Sequence, residues 1–243
     1  YCVGAVVTIS AGTLVLKAGY GWKTACLLLA PMPVVLLVAL AFQRFPKMAS
    51  DDHEAAPLRK VLREKWFLVA LAAIFLGGAT ELGMAQWLPA YAETSLGFPT
   101  WVGGTSLLLF SLAMVAGRMI IGFVPRLDPF LIMAWGCGLS VVAFMGGSFL
   151  PVPSLALAAC VIAGFTGSCL WPTTLAVTAD RYPGGGASMF GVLAALGNAG
   201  GMFMPWLVGW IADRSDLHIG LAVSAVAPAL MLPLLLWMRA RKA

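Results

Sequence analysis

Apolar residues run along this chain in long unbroken stretches, not in the alternating or one-face patterns of soluble strands and helices. Eight stretches stand out, near 1–16, 22–42, 66–92, 100–123, 129–149, 154–178, 187–212 and 218–238, divided by short polar or Gly/Pro-rich breaks. A hydrocarbon core roughly 30 Å thick takes about 20 mostly apolar residues per helical crossing. All but the short first stretch reach that length. Membrane strands would alternate apolar and polar residues, and an open sheet edge cannot face lipid. The predicted class is an all-α polytopic membrane protein, a helical bundle with eight transmembrane helices.

Composition agrees. Of 243 residues, 61% are apolar and 10% charged, and the mean hydropathy is +0.94, against about 45–50% apolar and 25% charged in soluble domains. That excludes a soluble enzyme, a disordered tail and a nucleic-acid-binding domain. The net charge of +5 is explained by its placement. Arg44, Lys47, Arg59, Lys60, Arg63, Lys65, Arg118, Arg126, Arg181, Arg239, Arg241 and Lys242 fall on one side of the predicted membrane, and Lys17, Lys23 and Arg214 on the other. The positive-inside rule then predicts a multi-pass protein of the cell membrane, a bacterial inner membrane by preference, with the long loop and the C-terminus cytoplasmic. Six spans between them keep the parity even.

The loop 43–65 is the one long polar stretch. Its acidic centre (Asp51, Asp52, Glu54) lies between basic flanks, and LRKVLREKW reads as a short amphipathic helix on the membrane surface. It divides the chain into residues 1–42, the linker 43–65 and a six-span unit 66–243. A six-span unit after a basic linker is the half-molecule of a repeat-built transporter. Cys2, Cys26, Cys137, Cys160 and Cys169 sit singly in apolar runs and read as buried thiols, with no metal or cofactor expected. His53 and His218 fall in loops and read as solvated. Ser168 lies mid-membrane, but no His or Lys lies within a span to act as its base, which argues against an intramembrane enzyme. No nucleotide-cradling motif occurs, so ATP-driven pumping is not expected.

Several motifs together resemble the major facilitator superfamily. Gly21-Trp22-Lys23 is similar to the Gly-Trp-Arg before that family's sixth helix, and Gly117-Arg118 through Gly122 to the Gly-Arg-x-x-x-Gly of its eighth. Trp171-Pro172-Thr173-Thr174 followed by Asp180-Arg181-Tyr182-Pro183 resembles the tenth helix and its cytoplasmic exit. Gly191 through Gly201, Met204-Pro205-Trp206 and Gly209 through Asp213 resemble the eleventh. Gly78-Ala79-Thr80-Glu81 through Tyr91 is similar to the seventh helix of fucose/glucose-type sugar:proton symporters. The resemblance implies a twelve-helix fold of which these spans are helices five to twelve, with the N-terminal helices of the same protein as partners. One departure stands out: Pro125 occupies the place of the Asp that usually precedes Arg126, which puts the charge-relay role of that loop in doubt.

The candidate chemistry starts at Glu81, the one acidic residue well inside a predicted span. A carboxylate at the bilayer centre costs about 2.5–3.5 kcal/mol on insertion scales, so it must face the interior, take up a proton or find a partner. It is read as a proton or substrate site, against a fixed hydrogen bond to a Ser, Thr or Asn of another helix. Asn198, in a glycine-rich stretch, is a substrate contact or an interhelical clamp. Gln86 and Trp87 offer the amide and ring of a sugar site, or belong to the interfacial belt. Pro172 and Pro205 predict kinks in adjacent spans, as gating hinges or static bends; Trp171 and Thr173 beside the first are counted with the substrate-binding candidates, and Thr173 or Thr174 could serve the carbonyls that the proline frees. Arg118, Arg126, Asp180 and Arg181 are read as a cytoplasmic gating set, against snorkelling and topology signalling.

The expected function is a secondary transporter that moves a small polar solute, a sugar or similar metabolite, by alternating access, with protons as co-substrate and no nucleic-acid partner. The alternatives are a multidrug or metabolite exporter of the same superfamily and a truncated, non-transporting fragment.

Overall fold

The computed structural model describes residues 2–43, 58–123 and 127–241. The acidic centre of the linker, His53 and Arg126 lie outside the described residues. Every regular element among those described is a helix: α1 (Cys2–Lys17), α2 (Trp22–Leu29), α3 (Pro31–Phe42), α4 (Leu58–Val61), α5 (Lys65–Ala85), α6 (Leu88–Thr94), α7 (Thr100–Gly122), α8 (Pro129–Phe149), α9 (Pro153–Gly167), α10 (Leu170–Arg181), α11 (Gly186–Ala212), α12 (Leu217–Val223) and α13 (Val226–Ala240). Seven segments are long and apolar enough to cross a membrane, and α1 is a shorter apolar helix beside them. The predicted spans are these, with two differences. Among the described residues the amphipathic surface helix is a single turn, α4, and α5 already begins at Lys65 and takes Trp66 into the bundle. Four spans are broken into helix pairs, at Ala30 (α2/α3), Gln86–Trp87 (α5/α6), Ser168–Cys169 (α9/α10) and Ser224–Ala225 (α12/α13).

Each break has a local cause. Pro31 and Pro33 follow the first break, and Pro89, Pro172 and Pro228 stand just beyond the other three; a proline cannot donate to the carbonyl four residues earlier. Two helix starts are capped by side chains: Asp128 accepts from the Phe130 amide at 3.0 Å, and Asp216 from the Ile219 amide at 2.9 Å.

Packing is set by small residues. α5 and α11 share the most intimate contact in the bundle. A Cβ placed on Gly78 would overlap the Gly197 carbonyl, and one on Gly200 the Phe75 carbonyl, so the two backbones touch only because both positions lack side chains. α8 packs on α9 and α13, α7 on α9, α10 on α5, and α1 along α7. No residue of α2 or α3 is buried among the described residues.

Two ends of the bundle differ in chemistry. The linker end gathers the start of α5, the start of α8 and the ends of α10 and α13. The distal end gathers α6, the end of α8 and the start of α12.

Candidate functional site

Glu81 lies one turn before the end of α5 and is 9% exposed. Its partner is not a hydroxyl or an amide but Arg118. One guanidinium nitrogen of Arg118, Nη2, donates to both carboxylate oxygens at 2.9 Å each. This corrects two expectations. Glu81 is held by a cation, and Arg118 turns into the bundle instead of joining a cytoplasmic latch.

The reason is in α9 and α10. Pro172 has no N–H for the carbonyl of Ser168, which is left without its helical donor. Arg118 Nε supplies one at 2.9 Å. The freed carbonyl thus goes to Arg118 and not to Thr173 or Thr174; the Thr174 hydroxyl donates instead to Leu170 C=O at 2.6 Å. Gly117 completes the arrangement: a Cβ there would lie 2.9 Å from the Phe165 carbonyl, so glycine lets α7 approach the end of α9 closely enough for the next residue to reach Ser168. A buried ion pair is costly to form unless its remaining hydrogen-bonding capacity is used. The Ser168 carbonyl uses part of Arg118's, and it fixes the side chain's direction.

Beside the pair is a cavity of about 300 Å³ between α5, α7, α10 and α11, lined by Gly78, Glu81, Leu82, Arg118, Trp171, Pro172, Ala194, Gly197 and Asn198. The indole of Trp171 lies over Gly197, which has no side chain to displace it. A second, smaller space of about 110 Å³ reaches Glu81 from the side of α1 and α7.

The structure therefore brings Glu81, Arg118, Trp171, Pro172 and Asn198 together. It does not bring in the others. Gln86 is exposed at the end of α5 and does not line the cavity. Trp87 does not line the cavity: its Nε1 donates to the Pro205 carbonyl at 2.8 Å, and its ring lies against Gly209. Pro205 sits within an unbroken α11, so no helix break accompanies it. Thr173 does not line the cavity.

At the linker end, Asp180 is exposed and the Arg181 guanidinium lies 5.0 Å from the Trp66 ring centroid. Tyr182 donates to Glu64 at 2.7 Å, joining the end of α10 to the start of α5. Burial and that hydrogen bond push the Tyr182 hydroxyl up to about 12, so it stays a donor at neutral pH. Arg239 pairs with Asp128 at 2.8 Å.

Two pairings escaped the sequence reading. The Glu81–Arg118 pair was signalled only by the rule that a carboxylate in a span must face the interior, take up a proton or find a partner. The other involves His218, expected to be solvated but half-buried against Tyr91 at the distal end.

Comparison with known proteins bears on the same elements. The chain is 31% identical over 178 residues to the probable nitrate/nitrite transporter NarK2 of Mycobacterium tuberculosis, covering 68% of this chain and 42% of that protein. It is 28% identical over 123 residues to a TsgA homologue of Serratia proteamaculans, covering 49% and 30%. In fold it is similar to the transporter FucP in its outward conformation (TM-score 0.70, 14% identity, 89% of this chain and 54% of that one). A second structure of FucP, the E. coli fucose:proton symporter, gives a TM-score of 0.67 at 19% identity, covering 89% and 57%. The chain thus spans less than two thirds of each of these proteins. The Major Facilitator Superfamily model matches residues 1–183, three quarters of the sequence and three of the four elements around the cavity, α5, α7 and α10. On its helices, its matched length and its structural neighbours, this chain belongs to the Major Facilitator Superfamily.

Proposed function

We propose that the protein is a secondary transporter that moves a small polar solute by alternating access and couples it to protons at Glu81. One observation carries the reading: the Glu81–Arg118 pair lies on the wall of a cavity. With Glu81 ionised, Arg118 is satisfied by the carboxylate. A proton on Glu81 replaces a charge-assisted bond with a much weaker one. Arg118, still oriented by the Ser168 carbonyl, then offers its donors to a solute held between Trp171 and Asn198. Proton and solute are linked because both act on one guanidinium.

The solute that suits this site is rich in acceptor oxygens. A sugar is the first reading, supported by the fold shared with a fucose:proton symporter and by the indole and amide in the cavity. The loss of Gln86 and Trp87 from the site weakens it. A small oxyanion is the second, favoured by the fixed cation and by the name of the relative at 31% identity. The linker and C-terminus are assigned to the cytoplasm by the Lys and Arg distribution.

The test is uptake into membrane vesicles by the full-length protein, wild type against Glu81→Gln, with external pH varied. The variant is expected to lose pH-driven accumulation while counterflow exchange survives. Normal accumulation by Glu81→Gln across the pH range would remove Glu81 from the mechanism.

A further inference from the structure

The distal end holds a polar cluster that the cavity does not use. Tyr91, fully buried on α6, donates to the Gly147 carbonyl at 2.7 Å. Its oxygen also lies 2.8 Å from Nδ1 of His218 on α12, with the two rings edge to face at 5.0 Å. The same nitrogen is 2.9 Å from the Ser148 carbonyl. Both acceptors belong to the last turn of α8, where carbonyls have no donor within their own helix. One assignment satisfies all three contacts: the phenol donates to Gly147, and Nδ1–H is shared between the phenol oxygen and the Ser148 carbonyl.

α6 and α12 share more than this contact. Each is a seven-residue half-helix cut from its span by a break with a proline beyond it, at Gln86–Trp87 and at Ser224–Ala225. The breaks lie close together, since a Cβ on Gly83 would stand 3.1 Å from the Ser224 hydroxyl. Trp87, at the first break, is pinned to the Pro205 carbonyl of α11. Two buried hydroxyls, Ser224 at the second break and Ser148 at the end of α8, have no hydrogen-bond partner. Buried polar groups left unpaired are uncommon and oppose the arrangement that leaves them so.

We propose that α6 and α12 form a single lid over the distal end of the bundle, hinged at the paired breaks and latched onto α8 by Tyr91 and His218. The orphaned hydroxyls bias the lid toward release, and the latch holds it. Tyr91 and His218 are positioning residues: they touch no solute and act through the two half-helices. As a gate, the lid rests on the transport reading above; as a coupled motion, it does not.

Hydrogen exchange of the full-length protein in lipid nanodiscs, read by mass spectrometry, tests it. Tyr91→Phe removes one latch proton and keeps the ring. It is expected to speed exchange about five- to tenfold in residues 88–96 and 217–223 together, with residues 65–84 unchanged. Faster exchange in 88–96 alone, or in neither segment, would overturn the proposal. Should Tyr91→Phe loosen the whole protein, Ser224→Ala decides. Removing a hydroxyl that opposes closure is expected to slow exchange in both segments, and unchanged or faster exchange there would count against the lid. A coupled response in protein that shows no solute uptake would leave the lid standing and remove the transport reading.

Discussion

Removing one member of a buried ion pair is far more damaging than removing both. At Glu81–Arg118 the physical reason is simple: Arg118→Gln leaves a carboxylate at 9% exposure with its cation gone. Losses of about 3–5 kcal/mol are typical for such half-pairs. The double variant Glu81→Gln with Arg118→Gln puts two neutral amides in the same space and is expected to regain much of that loss. Thermal unfolding of the four proteins in one detergent measures it, and strictly additive losses would mean that the two side chains are not coupled. Half of this pair was legible in the sequence. Glu81 stood out because a lone acid within a span must be compensated. Arg118 did not, because its place near the end of a span suits snorkelling equally well. What turns it inward is a carbonyl on another helix, freed by Pro172, fifty residues away in sequence from the side chain that accepts the invitation. No local pattern encodes that.

At the scale of helices, the hydropathy runs located the spans because the membrane imposes both their length and their uniform apolarity. They could not locate the breaks. Pro172 and Pro205 carry the same sequence signal, yet α9/α10 breaks and α11 runs through, because neighbouring packing decides whether a proline interrupts a helix or only bends it. Small residues show a similar divide between what is visible and what is not. The glycine-rich stretch 191–201 announced close packing without naming its partner, which is α5. Gly78→Ala is expected to lower the melting temperature, since the new methyl meets the Gly197 backbone, which cannot rotate away; overpacking of this kind costs about 1–3 kcal/mol. Gly138→Ala, with open space at its Cβ, is the control and is expected to be neutral or slightly stabilising. Equal effects at the two positions would show that α5 and α11 do not need their close contact.

For the whole molecule, the deciding physics is which surfaces meet lipid, which meet water and which meet other helices. Charge placement was legible from the sequence alone, because a lysine or arginine has few places to go in a membrane protein. The linker-end contacts are consistent with that distribution: Arg239 with Asp128 and Arg181 over Trp66 draw their cations from the side that the sequence assigned to the cytoplasm. The orientation itself can be measured. A fluorescent-protein fusion after Ala243 is expected to fluoresce, as such a fusion does only when it stays in the cytoplasm, and a periplasmic phosphatase joined between Lys17 and Trp22 is expected to be active. Dark C-terminal fusions with an inactive phosphatase would invert the topology. The lid formed by α6 and α12 would then open to the cytoplasm, and its latch would face the compartment that now is assigned to the linker.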